Sequence, residues 1–183
     1  MEQQLLQEQK KPNALAFQVA IIFAIYIILF TVVLRLMSIN IQAENTPLSY
    51  KIIGGVLSWI PFIYAIYYVP NKHKQELGGF ITYGRAFSAG FKTAAYSGLF
   101  IGIFMFLYYQ FIDQAGMTEM VDTAIAKAKD DNQIKGIEMM RSYFTIITAF
   151  TSAIIYTISG LIISLIVAAV VKKERPLSYE DPQ

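Results

Sequence analysis

The chain of 183 residues contains no cysteine and only one histidine, His73. Disulfides, thiol nucleophiles, iron–sulfur clusters and zinc–thiolate sites are therefore excluded. A single imidazole also cannot build a metal site that uses several histidines. We therefore predict no metal and no cofactor. His73 lies in a Lys-His-Lys sequence, and we expect its side chain to be solvated.

Charge is scarce as well. Charged residues make up 15% of the chain, whereas a soluble domain has about 25%. Hydrophobic residues make up 55%, and the mean hydropathy is +0.46. The net charge is only +2, and the sequence contains no basic run of the kind that binds nucleic acid. This composition predicts a protein that is surrounded by lipid and does not bind nucleic acid.

The chain contains four long apolar runs. Each run is long enough to cross a hydrocarbon core about 30 Å thick. We predict transmembrane helices at about residues 14–36, 52–69, 84–112 and 143–171. The fold class is then an all-α membrane protein, with a bundle of four transmembrane helices in one domain at residues 14–173.

The flanking segments are polar. Residues 1–13 form a polar N-terminal segment, and we expect Asn13 to cap the first helix. Residues 174–183 form a short tail that we expect to be disordered. Arg35 lies at the far end of the first span, where its long side chain can place the charge among lipid headgroups.

The connection between the third and fourth spans, residues 113–142, is the one long polar connection. Its apolar residues recur at helical spacing, which predicts an amphipathic helical hairpin over the end of the bundle, with Thr118 as a cap. Its acidic residues lack the alternation and central glycine of a calcium-binding loop. We interpret them as part of a solvated face of mixed charge: Asp113, Glu119, Asp122, Asp130, Asp131 and Glu138.

Small residues recur along two of the spans. The third span has one at every fourth position, and the fourth span repeats the pattern: Ala86, Gly90, Ala94, Gly98 and Gly102, then Gly160, Ser164 and Ala168. Stripes of this kind allow two helix backbones to approach closely within a membrane. We therefore predict that the third and fourth spans are direct neighbours.

The distribution of cations predicts the orientation. With the N-terminus in the cytoplasm, the inner side carries nine of the 15 cations, namely Lys10, Lys11, Lys72, Lys74, Arg85, Lys92, Lys172, Lys173 and Arg175. The outer side carries the rest, and most of those lie in the long connection, where the positive-inside bias is weaker. Both termini are therefore expected to be cytoplasmic.

No acidic residue occurs within residues 14–34, 52–69, 94–112 or 143–171. Coupled transporters usually keep such a residue at mid-membrane depth for a proton or cation relay. The sequence also lacks a Ser-His-Asp set, an HExxH motif and a Walker loop, so we expect no enzyme activity. A pore built from several copies of the chain stays open as an alternative.

Two cations enter apolar sequence at the start of the third span. Arg85 and Lys92 are seven residues apart and so share a helix face. With Lys72 and Lys74 they could contact an anionic lipid or phosphate, since cations near the bilayer surface attract anionic headgroups. The simpler alternative is that Arg85 and Lys92 only anchor the helix in the bilayer.

The segment at residues 78–91 reads Gly-Gly-Phe-Ile-Thr-Tyr-Gly-Arg-Ala-Phe-Ser-Ala-Gly-Phe. It resembles the central motif of a bacterial membrane-protein family, domain of unknown function (DUF) 4199, found mainly in Gram-negative bacteria of the Bacteroides–Flavobacterium group. The resemblance covers about residues 15–175. It implies a four-span protein of the inner membrane and no catalytic activity.

We therefore predict a non-enzymatic, integral protein of the bacterial inner membrane. It would act as an accessory or scaffold subunit of a membrane assembly, or as a homo-oligomer. Its partners would be the lipid bilayer, anionic lipid, other membrane-protein subunits or further copies of itself. The alternatives are a small oligomeric transporter or channel, or an anionic-lipid-binding membrane protein.

Overall fold

The computed structural model of the chain describes residues 11–39 and 46–174. Most of the predicted N-terminal segment and the predicted tail after residue 174 lie outside the described residues. The described elements, in chain order, are α1 (Asn13–Leu36), α2 (Leu48–Glu76), α3 (Tyr83–Leu107), a π-helical turn (Tyr108–Ile112), α4 (Gln114–Ala126), α5 (Asp131–Met140), a 3₁₀ turn (Arg141–Tyr143) and α6 (Phe144–Val171).

The predicted fold class is confirmed. In the described part of the chain, four helices are long and apolar enough to cross a membrane. These are α1, α2, α6, and α3 together with its π-helical turn. The helices α4 and α5 form the predicted hairpin between the third and fourth spans. Large apolar side chains such as Ile22, Ile60 and Ile162 are more than half exposed. Lipid would cover these side chains in a bilayer.

The alternating directions of the four long helices define two ends of the bundle. At one end of the bundle, α1 and α3 end and α2 and α6 begin, and the α4–α5 hairpin lies at this same end. We call it the Arg35 end. At the other end α1 and α3 begin and α2 and α6 finish; we call this the Lys173 end. These two names are used below for the two ends.

The helix α2 is longer than its predicted span. It continues past Val69 and through Pro70 to Glu76. Residues four positions apart lie on the same face of a helix. His73 therefore faces inward, as Val69 does. The expectation that His73 is solvated is therefore wrong, since its side chain is only 2% exposed and its Nδ1 lies 3.7 Å from Oε2 of Glu76.

Two predicted caps are also wrong. The helix α1 begins at Asn13 itself, and the residue before it, Pro12, has no capping side chain. Thr118 lies inside α4 and donates its hydroxyl to the carbonyl of Gln114. Asp113 caps α4 instead, because its Oδ1 accepts a hydrogen bond of 2.8 Å from the backbone N–H of Gly116.

The helices α3 and α6 share the most extensive contact of any pair of described elements. The small residues of both predicted stripes are buried: Ala86, Gly90, Ala94, Gly98, Gly102, Gly160, Ser164 and Ala168. In lipid, where apolar side chains gain little from leaving the solvent, such close packing is a main source of helix association. The predicted neighbour relation of the third and fourth spans is the one found in the structure.

The individual contacts show why these positions are small. Gly160 lies against Ala94, and Gly90 lies against Ser164. A Cβ atom at Gly98 would lie 2.6 Å from the carbonyl oxygen of Ala153 and would also collide with Thr157. Because that oxygen belongs to the α6 backbone, it cannot move away as a flexible side chain could. Gly98 therefore sets how closely the two helices approach.

We expect Gly98→Ala to destabilise the purified protein by about 1–3 kcal/mol, the usual cost of overpacking a close contact. The matched control is Gly55→Ala in α2, where a Cβ would meet nothing within 4 Å. Thermal unfolding in detergent measures both variants. Equal stability of the two variants would contradict the assigned role of Gly98.

Candidate functional site

The predicted cations at the Lys173 end do not gather at one point. Lys74 Nζ donates a hydrogen bond of 2.9 Å to the carbonyl of Val171, the last residue of α6. Lys92 Nζ donates one of 2.9 Å to Oδ1 of Asn13 in α1. Lys72 and Arg85 are exposed. Two of the four predicted contact residues therefore bind protein oxygens on different helices.

The glycines of the 78–91 segment end α2. Gly78 and Gly79 have positive φ angles of 79° and 89°. The N–H of Gly78 bonds the carbonyl of Gln75, and the N–H of Gly79 bonds the carbonyl of Lys74. This pair of bonds is the Schellman arrangement, which needs a left-handed residue directly after the helix. Glycine adopts that conformation without steric cost.

The rest of the segment joins three helices. Ile81 and Lys173 exchange two backbone hydrogen bonds of 2.9 Å, which tie the start of α3 to the end of α6. The ammonium of Lys173 lies 5.3 Å from the ring centre of Phe80, a cation–π contact. Tyr83 donates its hydroxyl to the carbonyl of Leu165. The segment that carries the family resemblance is thus a structural joint between α2, α3 and α6.

The Arg35 end holds a cluster of charged side chains. The guanidinium of Arg35 donates to both carboxylate oxygens of Glu119, at 2.9 and 3.2 Å. Its Nε lies 3.2 Å from Oδ2 of Asp113. A two-bond fork of this kind fixes orientation as well as position. Arg35 therefore ties α1 to the hairpin, and its position among lipid headgroups stays a prediction.

Asp113 has three partners. One carboxylate oxygen caps α4 through Gly116. The other accepts the hydroxyl proton of Tyr108 at 3.1 Å and lies beside Arg35, and the side chain is only 12% exposed. A carboxylate is stable at this depth because hydrogen bonds and an opposite charge compensate for the lost water. The interpretation of Asp113 as part of a solvated face is therefore wrong.

A π-helical turn positions the tyrosines of this end. It spans Tyr108–Ile112 and directly precedes Asp113. Such turns are rare, and they are frequent at functional sites because the wider turn redirects side chains. Here the turn brings Tyr108 to Asp113 and places the ring of Tyr109 beside that of Tyr108. The two ring centres are 5.1 Å apart, and the angle between the ring planes is 73°.

These groups line a cleft of about 610 Å³ between α1, α2, α3, α4 and α6. Its volume lies within the range of small-molecule sites, about 300–1,000 Å³. Arg35, Asp113 and Glu119 line the mouth, and Ile27 and Tyr156 line the deep part. Since Ile27 precedes Arg35 by eight helical residues, the cleft extends about 12 Å along α1.

An aromatic cluster closes the cleft at its base. Tyr156 of α6 packs against Phe62 at 5.1 Å, Trp59 at 5.7 Å and Phe23 at 5.9 Å between ring centres. Phe23 lies one helical turn deeper than Ile27, and both are buried. The cleft therefore ends within the bundle and does not continue toward the Lys173 end.

The arrangement is suited to binding. The cluster contains one positive side chain, Arg35, and two negative side chains, Asp113 and Glu119. Its net formal charge is therefore −1. Sequence reasoning missed this site because Arg35 is far along the chain from Asp113 and Glu119, which lie six residues apart. The predicted topology does contain a signal, since it places Arg35 and the acidic connection on the same side of the membrane.

We expect Asp113→Ala to loosen α4, because it removes the helix cap, the partner of Tyr108 and one partner of Arg35. Loss of a buried, charged hydrogen-bonding group of this kind costs about 1–3 kcal/mol. Hydrogen exchange of the α4 amides should become faster in this variant.

The matched control for that experiment is Asp122→Ala. Asp122 pairs with Arg141, and both side chains are at least half exposed, so the change should cost at most about 1 kcal/mol. If α4 exchanges at the same rate in both variants, Asp113 does not hold the hairpin.

Comparisons with known proteins give one match. The family described as "Protein of unknown function (DUF4199)" matches residues 18–173. No curated protein matches the chain, and no solved structure matches it. The match includes α2, α3, α6 and all but the first five residues of α1, together with the joint at residues 78–91 and the cluster at the Arg35 end. Since the match covers most of its length, the chain belongs to the DUF4199 family.

Proposed function

We propose that the chain is a non-enzymatic, integral protein of the bacterial inner membrane that acts as an accessory or scaffold subunit of a membrane assembly. The observation that carries this proposal is the closed interior of the bundle. The aromatic cluster of Phe23, Phe62 and Tyr156 closes the base of the cleft at the Arg35 end. A bundle of this kind, with a cleft and a hairpin at one end, offers a surface for partners.

The charge distribution supports the same proposal. Residues 12–34, 52–71, 93–112 and 144–171 contain no Asp, Glu, Lys, Arg or His. A carrier that moves protons or cations usually has such groups at mid-membrane depth. The charged groups of the described spans lie toward the two ends of the bundle, where Arg35, Lys74 and Lys92 bond oxygens of other helices.

Self-association is the second form of the proposal. The stripes of small residues do not support it, because α3 and α6 use them for contact with each other. A homo-oligomer would therefore form through other faces of the bundle. The exposed apolar face of α2, which includes Ile52, Ile53 and Val56, is one such surface.

Contact with anionic lipid is a weaker proposal for the Lys173 end. The exposed cations Lys72 and Arg85 support it, since each cation near an anionic surface contributes about 1 kcal/mol. Lys74 and Lys92 support it less, because each donates a hydrogen bond to an oxygen of another helix.

We further propose that both termini are cytoplasmic, which places the Arg35 end on the periplasmic side. The cysteine-free chain makes this directly testable. A cysteine at Lys127 should react with a membrane-impermeant maleimide in intact cells, and a cysteine at Lys72 should react only after lysis. The reverse pattern would contradict the orientation.

Extraction in a mild detergent tests the scaffold role. Native mass spectrometry should find the 20.7 kDa chain in a larger protein complex, and proteoliposomes of the purified chain should conduct protons and potassium no faster than empty vesicles. A purely monomeric chain would contradict the scaffold and oligomer proposals. Ion flux above the empty vesicles would favour the channel alternative.

A further inference from the structure

We propose that the cleft at the Arg35 end binds an amphipathic molecule with a cationic amine headgroup and a single apolar chain. The headgroup lies beside Glu119 at the mouth of the cleft, and the apolar chain extends down toward Ile27 and Tyr156. This binding site goes beyond the scaffold role, because it requires only one copy of the chain and no partner protein.

The charge of the mouth selects a cation. The guanidinium of Arg35 is already compensated by two carboxylates, with Nε beside Asp113 and both terminal nitrogens bonded to Glu119. An anion would have to displace one of these carboxylates and would meet the remaining negative charge. A single positive charge instead brings the cluster from −1 to neutral.

Glu119 is the carboxylate that can receive the headgroup. Its side chain is 54% exposed, whereas that of Asp113 is 12% exposed and has three partners. Each oxygen of a carboxylate can accept more than one hydrogen bond, so Glu119 can bond an ammonium and Arg35 together. The rings of Phe30 and Tyr109 also line the cleft, and aromatic rings attract cations.

The shape of the cleft requires a chain below the headgroup. The cleft extends about 12 Å from Arg35 to Ile27 along α1, which is most of one leaflet of a hydrocarbon core about 30 Å thick. Leu34 and Met105 line it below the charged mouth. Thr31 and Ser58 line it as well, and each donates its hydroxyl to a carbonyl of its own helix. A volume of about 610 Å³ holds more than an amine alone, and a single apolar chain fits a cleft of this length.

The protein contains its own reporter for this site. Trp59 is the one tryptophan in the chain, and its ring lies 5.7 Å from that of Tyr156. Tyr156 in turn lines the deep part of the cleft. A nitroxide group at the end of a bound chain would lie close to Trp59 and quench its fluorescence.

The experiment titrates the full chain, in nanodiscs of zwitterionic lipid, with three nitroxide-labelled amphiphiles. The three probes share one alkyl chain and carry an ammonium, a sulfate or an uncharged sugar headgroup. The uncharged probe measures the quenching that comes from partitioning into the bilayer alone. We expect the ammonium probe to half-saturate the quenching at a concentration about fivefold lower than the other two, as one partly exposed charge pair allows.

Two variants separate charge selection from loss of structure. Glu119→Gln makes the cluster neutral and should weaken binding of the ammonium probe about fivefold. Arg35→Gln makes the cluster more negative and should strengthen the binding. Asp122→Asn changes a carboxylate that pairs with Arg141 outside the cleft and should leave the binding unchanged.

Equal quenching by the three probes in the wild-type chain would overturn the proposal, and so would a preference for the sulfate probe. Weakening by both Glu119→Gln and Arg35→Gln would also overturn it, because only a structural role predicts the same direction for both. The wild-type comparison needs no variant to fold. Since it uses isolated single chains, its result is independent of whether the chain joins a larger assembly.

Discussion

The close approach of α3 and α6 is the contact on which the other features of the bundle depend. In lipid, helices gain little by hiding apolar side chains from their surroundings, so packing must hold them together. Gly98 and Gly160 bring the two backbones together, because neither position has room for a Cβ. The helices α1 and α2 then pack against this pair, and α3 contacts both of them.

Each end of the bundle ties its helices together in a different way. At the Lys173 end, Ile81 and Lys173 join the start of α3 to the end of α6 by backbone hydrogen bonds. At the Arg35 end, Arg35 and Asp113 join α1 to the hairpin by charge. The second end leaves a cleft with charged walls at its mouth and aromatic rings at its base, which is why we place binding there.

The helices and the α3–α6 pairing could be predicted from the sequence, because both depend on local patterns: apolar length and the spacing of small residues. The burial of His73 and the partners of Arg35 were missed for one shared reason. Each residue was interpreted from its neighbours in the chain, whereas α2 continues past His73 and Arg35 pairs with carboxylates far along the chain. The cleft could not be predicted from patterns because α1, α2, α3, α4 and α6 build it together.

The most direct test of this account measures the distance between α3 and α6 within one chain. Spin labels are placed at Leu99 and Ile158, which are both more than half exposed and lie next to the contacting pair Gly98 and Thr157. Double electron–electron resonance then measures the distance between the two labels. The account predicts a short, narrow distance distribution that persists when labelled protein is diluted with excess unlabelled protein. Loss of the short distance on dilution would show that the stripes pair between copies, and would contradict the account.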